Sequence, residues 1–309
     1  MALSGFILLD KIAGDTSFKA LFPLKRVFST KRVGHAGTLD LRASGLIVAA
    51  IGRATRLLPY VESKEKCYTF RLHLGYETDT LEWDGDVVEQ DEPRAVSRTD
   101  LEKVLPQFTG DIMQVPPRYC AVKVDGRRAS DLAERGRNFE LAARGIHVES
   151  LRIVGEGGVT EGESGKSFAT FDLECVCSKG TYVRSLGRDL GRALGTFGCV
   201  SQIRRHRIGN VTLDCAVRAE NLTAENLLTV DQVLDFPVVR LDAKQMAAVR
   251  LGNWVPWRDA VEGVAPQQGR MATGEALVFV AEGTGPVQAV CRYEPGRLCP
   301  KIYLGEDRD

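Results

Sequence analysis

The chain has no excess of charge of either sign: 41 Lys and Arg stand against 41 Asp and Glu. That balance excludes a nucleic-acid binder that works by overall basicity. It leaves room for local patches. Lys25 to Arg42 is basic, as is Arg204-Arg205-His206-Arg207, and Glu77 to Asp100 is acidic. A single charged run is ordinarily solvated surface, although a basic face on a neutral protein still binds RNA through phosphates. Long apolar runs are also missing. Leu46 to Ile51, as long as any, is far too short to span a bilayer. No basic stretch leads into an apolar one at the N-terminus, so cytoplasmic residence is expected, with no membrane partner. The eight cysteines form no C-x-x-C pair, and Cys175-x-Cys177 fits no common zinc spacing. Reduced thiols are expected, with no metal and no disulfide framework. There is no internal repeat, low-complexity tract or nucleotide-binding motif.

What is present suits a globular protein long enough for two domains: 44% apolar and 27% charged residues over 309 positions. Gly5 to Leu9 and Ser44 to Ile51 read as buried strands. Ser17 to about Phe28 reads as a helix shortened by Pro23. Tyr68 to Gly75 alternates, with Tyr68, Phe70, Leu72 and Leu74 facing one way and Thr69, Arg71 and His73 the other. Ser97 to Phe108 reads as a capped helix, and Ser130 to Arg135 as a short one closed by Gly136. Ser167 to Cys177 alternates again. The helix that follows, to about Leu194, carries Val183, Leu186, Leu190 and Leu194 as its apolar stripe. Arg184, Arg188 and Arg192 recur on another face, where an exposed arginine row is the simplest reading. Beyond Pro237 come a helix at Asp242 to Leu251 and three β-like runs, Ala276 to Ala281, Val287 to Tyr293 and Lys301 to Leu304. This places a domain boundary there, giving 1–236 and 237–309. Strands interrupted by helices without regular βαβ alternation indicate an α+β class.

The most informative stretch is Val33 to Leu46, centred on Gly34-His35-Ala36-Gly37-Thr38-Leu39-Asp40. It sets one carboxylate among glycines in a basic neighbourhood. Glycine permits positive φ and close approach by a ligand. On turn chemistry alone, the preferred reading of Asp40 is a residue capping its own turn.

This stretch, continuing through Ala43-Ser44-Gly45-Leu46, resembles the signature of the TruB-type tRNA pseudouridine synthases. Four other segments resemble that family in the same order: Gly5 to Ser17, Lys66 to Gly85, Gln114 to Gly126, and Cys177 to Gly195 with Ile203-Arg204-Arg205 behind it. Together they span about the first two-thirds of the chain. The sequence departs from the family pattern at Ile12 and Leu41, where the family has proline, at Glu82 for an aspartate, and at Glu134 for a frequent arginine.

The resemblance implies a mixed, largely antiparallel sheet around a cleft, with a small β-rich PUA-like RNA-binding domain at the C-terminus. It implies isomerisation of uridine 55 in the T-arm of tRNA to pseudouridine, by base flipping, with no cofactor. Asp40 is implied as the catalytic carboxylate, ionised in a dry cleft beside a cation, and Arg184 as the arginine that pairs with it. Tyr68 is implied to pack on the target uracil, Tyr182 and Ile203 to line its pocket, and His35 to stack among the bases left behind. Lys11, Lys31, Arg32, Arg204 and Arg205 are candidate phosphate contacts. Each also has a plainer reading, as core aromatic, core aliphatic, loop histidine or surface charge. A monomer that needs no protein partner is expected. Two other functions stand beside this one. A guide-RNA-dependent relative would carry a longer N-terminal segment, whereas the first motif here begins at Gly5. An RNA-binding or RNA-folding protein without catalysis would not need Asp40, Tyr68 and Arg184.

Overall fold

The computed structural model describes residues 3–92, 95–155, 157–161, 167–256 and 276–305. These fall into two compact units. One comprises Met1–Leu41, Gly45–Lys64 and Ile208–Asp309, and the other Arg42–Ser44 and Glu65–Arg207.

In the first unit, strand Gly5–Lys11 pairs antiparallel with Ser44–Ile51 along its whole length, from Gly5 opposite Ile51 to Lys11 opposite Gly45. Val33–Ala36 pairs with the other side of that strand. Both long strands are almost wholly buried, as unbroken apolar runs require. The segment after Ser17 forms a short 3₁₀ turn and then the helix Phe22–Val27, with Pro23 in its first turn where no N–H is needed. The expected single helix is thus divided, as proline in a helix interior demands.

The C-terminal segments of this unit build a separate β-rich sheet in the order Val238–Leu241, Leu277–Glu282, Val287–Glu294, Arg297–Tyr303, Val255–Pro256. Its first pair is parallel. One face, with Leu277, Phe279, Val290 and Ile302, packs into the same core as Phe6, Leu8 and Val48. The other face receives Met246 and Val249 of helix Ala243–Arg250. That helix starts at a reciprocal cap between Asp242 and Gln245 and ends before Gly252, at φ +83°.

The second unit is a large sheet with one long helix. Its strands run in the order Gly198–Ile208, Lys66–Leu74, Ser167–Cys177, Arg144–Ile153, Gly110–Gln114. The last four pair antiparallel throughout. The alternation read in Lys66–Leu74 holds as far as Leu72. His73, read as outward with Thr69 and Arg71, is instead buried, because the Trp83 ring stacks on it and the Ser201 hydroxyl bonds its Nε2 at 2.7 Å. Helix Val183–Ala193 lies very close to the start of strand Gly198–Ile208. A Cβ at Gly187 would stand 2.3 Å from Val200, and one at Gly191 would stand 2.5 Å from Gly198 backbone. Only glycine permits that approach. The whole is mixed α+β, as expected.

Candidate active site

The first unit carries Lys11, His35 and Asp40. Leu39 and Leu41, either side of the carboxylate, are both fastened. The Ser17 hydroxyl accepts from the Leu39 N–H at 2.9 Å and donates to the Leu39 carbonyl at 3.0 Å. The Leu41 carbonyl accepts from the Gly14 N–H at 2.8 Å and from the Lys11 ammonium at 3.3 Å. Gly37 and Gly45 take φ of +65° and +102°, the left-handed region a side chain would resist. Asp40 itself is exposed. The backbone is held while the carboxylate reaches outward, which is the arrangement a reacting group needs. His35 is half-buried on the Val33–Ala36 strand.

Lys11 stands elsewhere than a surface phosphate contact would. It is 2% exposed, and its ammonium also donates to the Ile12 carbonyl at 3.0 Å. The backbone carbonyls of Ile12 and Leu41, the two positions without the family's proline, therefore converge on one cation. Arg205 differs from its expected place in the same way. It is 1% exposed, with its guanidinium 6.0 Å from the centre of the Tyr68 ring. A buried cation over an aromatic face fixes the ring and cannot meet solvent phosphate. Arg204 donates to the Ser44 hydroxyl at 3.3 Å.

The second unit carries Tyr68, Tyr182, Arg184 and Ile203. Tyr68 is buried and lies opposite Cys175 in the sheet. Ile203 is buried on the strand that also carries Arg205. Tyr182 caps its helix and is clasped by Gln114. The Tyr182 N–H donates to Gln114 Oε1 at 2.8 Å, and Gln114 Nε2 donates to the Tyr182 carbonyl at 3.1 Å. Burial, then the nearby Cys120 thiol, pushes the Tyr182 hydroxyl up to about 12.

Of the arginine row on the helix, Arg192 is exposed as expected, but the other two are not. Arg184 and Arg188 are 4% and 8% exposed. Two loops fold over them and supply carbonyls. Arg184 donates to Thr80 O at 3.0 Å and to Tyr119 O at 2.9 Å, and its Nε lies 4.0 Å from Glu82. Periodicity along one helix says which residues share a face, not what will cover it. Glu82 was legible only as a departure from the family pattern; its place beside Arg184 required the fold. Ser17 and Gln114 were missed as supports. Their signal was present in the motifs that contain them, but a hydroxyl or amide bonding a distant backbone has no pattern of its own.

One solved structure, titled "Crystal Structure of a Cbf5-Nop10-Gar1 Complex", contains a chain that matches 96% of this one at a TM-score of 0.66 and 22% identity, covering 83% of that chain. The archaeal box H/ACA sRNP Nop10-Cbf5 complex contains another, at 0.64 and 19%. These matches define the class of fold. Sequence relatives narrow it. Residues 25–183 match the model of the TruB family pseudouridylate synthase N-terminal domain. The tRNA pseudouridine synthase B of Caulobacter sp. (strain K31) is 36% identical over 97% of this chain and 95% of that protein. That of Mycobacteroides abscessus is 38% identical over 82% and 85%. The chain belongs to the TruB family of pseudouridine synthases, which are isomerases.

Proposed function

We propose that this chain converts uridine 55 in the T-arm of tRNA to pseudouridine, acting as a monomer without guide RNA or protein partner. The relatives that match most of its length are named tRNA pseudouridine synthase B, which supports tRNA as the substrate class. The observation that carries the reading is Asp40: an exposed carboxylate between two residues whose backbone is pinned.

The reaction breaks the N1–C1′ bond, turns the uracil and joins C5 to C1′; the C5 proton is then lost and N1 takes one up. Nothing is oxidised and no group enters, so the chain's own side chains suffice. Asp40 serves either by attacking C1′ or by taking a sugar proton. Being exposed, it needs the RNA itself to exclude water from the reacting sugar. The uridine must leave its stack, at a cost of a few kcal/mol. His35 takes the vacated place, Tyr68 packs on the uracil with Arg205 steadying its ring, and Tyr182 and Ile203 line the pocket. Arg184 is the arginine that the family resemblance assigns to the aspartate. The segment from residue 237 serves as a PUA-like domain that grips RNA outside the arm; residues 257–275 and 306–309 of it lie outside those described.

The test is pseudouridine mapping in an unmodified tRNA transcript. Native protein should modify the T-arm uridine alone. Asp40→Asn should lose at least about a thousandfold in rate, some 4 kcal/mol, and still unfold in a single cooperative transition. Binding without modification by native protein would sink the reading.

A further inference from the structure

Two phenylalanines stand side by side in solvent next to the Asp40 loop. Phe18 and Phe22 are 58% and 50% exposed. Their rings meet edge to face, with centroids 5.4 Å apart and planes at 82°. The Lys25 ammonium lies 5.2 Å from the centre of each. Single exposed apolar residues need no explanation, but an edge-to-face pair with a cation set over both is an organised surface.

Its position is fixed relative to the carboxylate. Phe18 follows Ser17, whose hydroxyl holds Leu39 from both sides, and Leu39 precedes Asp40. Leu41, just beyond Asp40, is itself 50% exposed. Exposed apolar side chains therefore flank the reacting group.

The local charge names the partner. Lys19 is paired with Asp15 at 2.7 Å. Lys25, Arg26 and Lys31 form no ion pair among the described residues. An aromatic face with uncompensated cations suits a nucleobase and its phosphates, since bases stack on aromatic rings and phosphates pair with lysine. An apolar protein surface would leave those cations without partners.

We propose that Phe18, Phe22 and Lys25 form a stacking platform for an unpaired base of the RNA whose uridine meets Asp40. The platform rests on the RNA-modifying function proposed above. It adds a contact that lies outside the motifs shared with the family.

The test uses the full chain and an unmodified tRNA transcript. Binding is measured in an Asp40→Asn background, and single-turnover rates are measured with Asp40 intact. Phe18→Ala with Phe22→Ala should raise Kd about tenfold, and leave both the rate at saturating tRNA and the melting temperature unchanged. Phe18→Leu with Phe22→Leu keeps the apolar bulk but not the π face, and should bind as weakly as the alanine pair. Lys25→Gln should weaken binding about threefold and lower the salt slope by about one. A Kd within twofold of native for the alanine pair overturns the platform, and native binding by the leucine pair overturns stacking as its basis. Native protein that modifies tRNA while the variants bind normally loses only the platform. Native protein that neither binds nor modifies tRNA loses the function and the platform together.

Discussion

Asp40 is exposed and the residues either side of it are pinned, while Arg184 is buried and bonded through its own side chain to two loops. The first is positioned by its neighbours' backbone: Ser17 on Leu39, and Lys11 and Gly14 on Leu41. The second is positioned by carbonyls of Thr80 and Tyr119, with Glu82 alongside. The difference is one of support: an exposed side chain is set by what holds its backbone, whereas a buried guanidinium has to find its own hydrogen-bond acceptors. Changes in the two regions should therefore separate function from stability in opposite ways.

Arg184→Met should produce the largest loss of stability. It removes a buried guanidinium and leaves two carbonyls and the Glu82 carboxylate without it, at a cost of about 3–5 kcal/mol. Urea unfolding would read this directly, and a loss below about 1 kcal/mol would show that the burial does not hold the loops. Arg184→Lys keeps the charge without the two-pronged donor and should fall between.

His73 belongs to the same buried region, and its effect depends on pH. Burial first, then the Arg71 charge, pushes its imidazole down to about 4. A histidine whose folded value lies below its unfolded one near 6.5 stays neutral when folded and takes up a proton on unfolding. Its stability contribution is complete above about 6.5 and lost as pH falls to about 4. The shift corresponds to roughly 3 kcal/mol at most. His73→Gln should make that part of the acid limb shallower; identical limbs in variant and native protein would refute the assignment.

On the exposed side, Ser17→Ala should cost about 1–3 kcal/mol, because the buried Leu39 N–H and carbonyl both lose their partner. If the hydroxyl positions Asp40, kcat falls while KM for tRNA holds, and Ser17→Thr restores part of the rate. A change confined to melting temperature would make Ser17 structural only. The smallest effect belongs to Leu41→Pro, which brings back the family's residue. It should add about 0.5 kcal/mol by restricting the unfolded chain, provided the loop already has a compatible φ. Destabilisation would show that this loop has taken another path, with the Lys11 clamp in place of the ring.

Local elements were largely legible. Ser44–Ile51 and Ser167–Cys177 have the bounds expected from their apolar and alternating patterns. The Ser97 cap and the Asp242 helix follow from residues within one turn of each other. Strand Gly198–Ile208 was not read as one, because Arg204 to Arg207 dominate its sequence and its burial depends on what crosses it. The common core of Phe6, Val48 and Phe279 was equally hidden, because it joins segments more than two hundred positions apart.

Composition and periodicity therefore determined the class of fold and the long strands and helix, and the resemblance carried by the glycine-rich loop marked Asp40 as the residue to watch. These depend on neighbours in the chain, where spacing alone carries the information. Tertiary structure alone decided that Lys11, Arg184 and Arg205 are buried, that His73 turns inward, and that Phe18 and Phe22 do not. A charged or aromatic side chain pays for burial only when partners from distant segments arrive to bond or cover it, and no stretch of sequence contains that arrival.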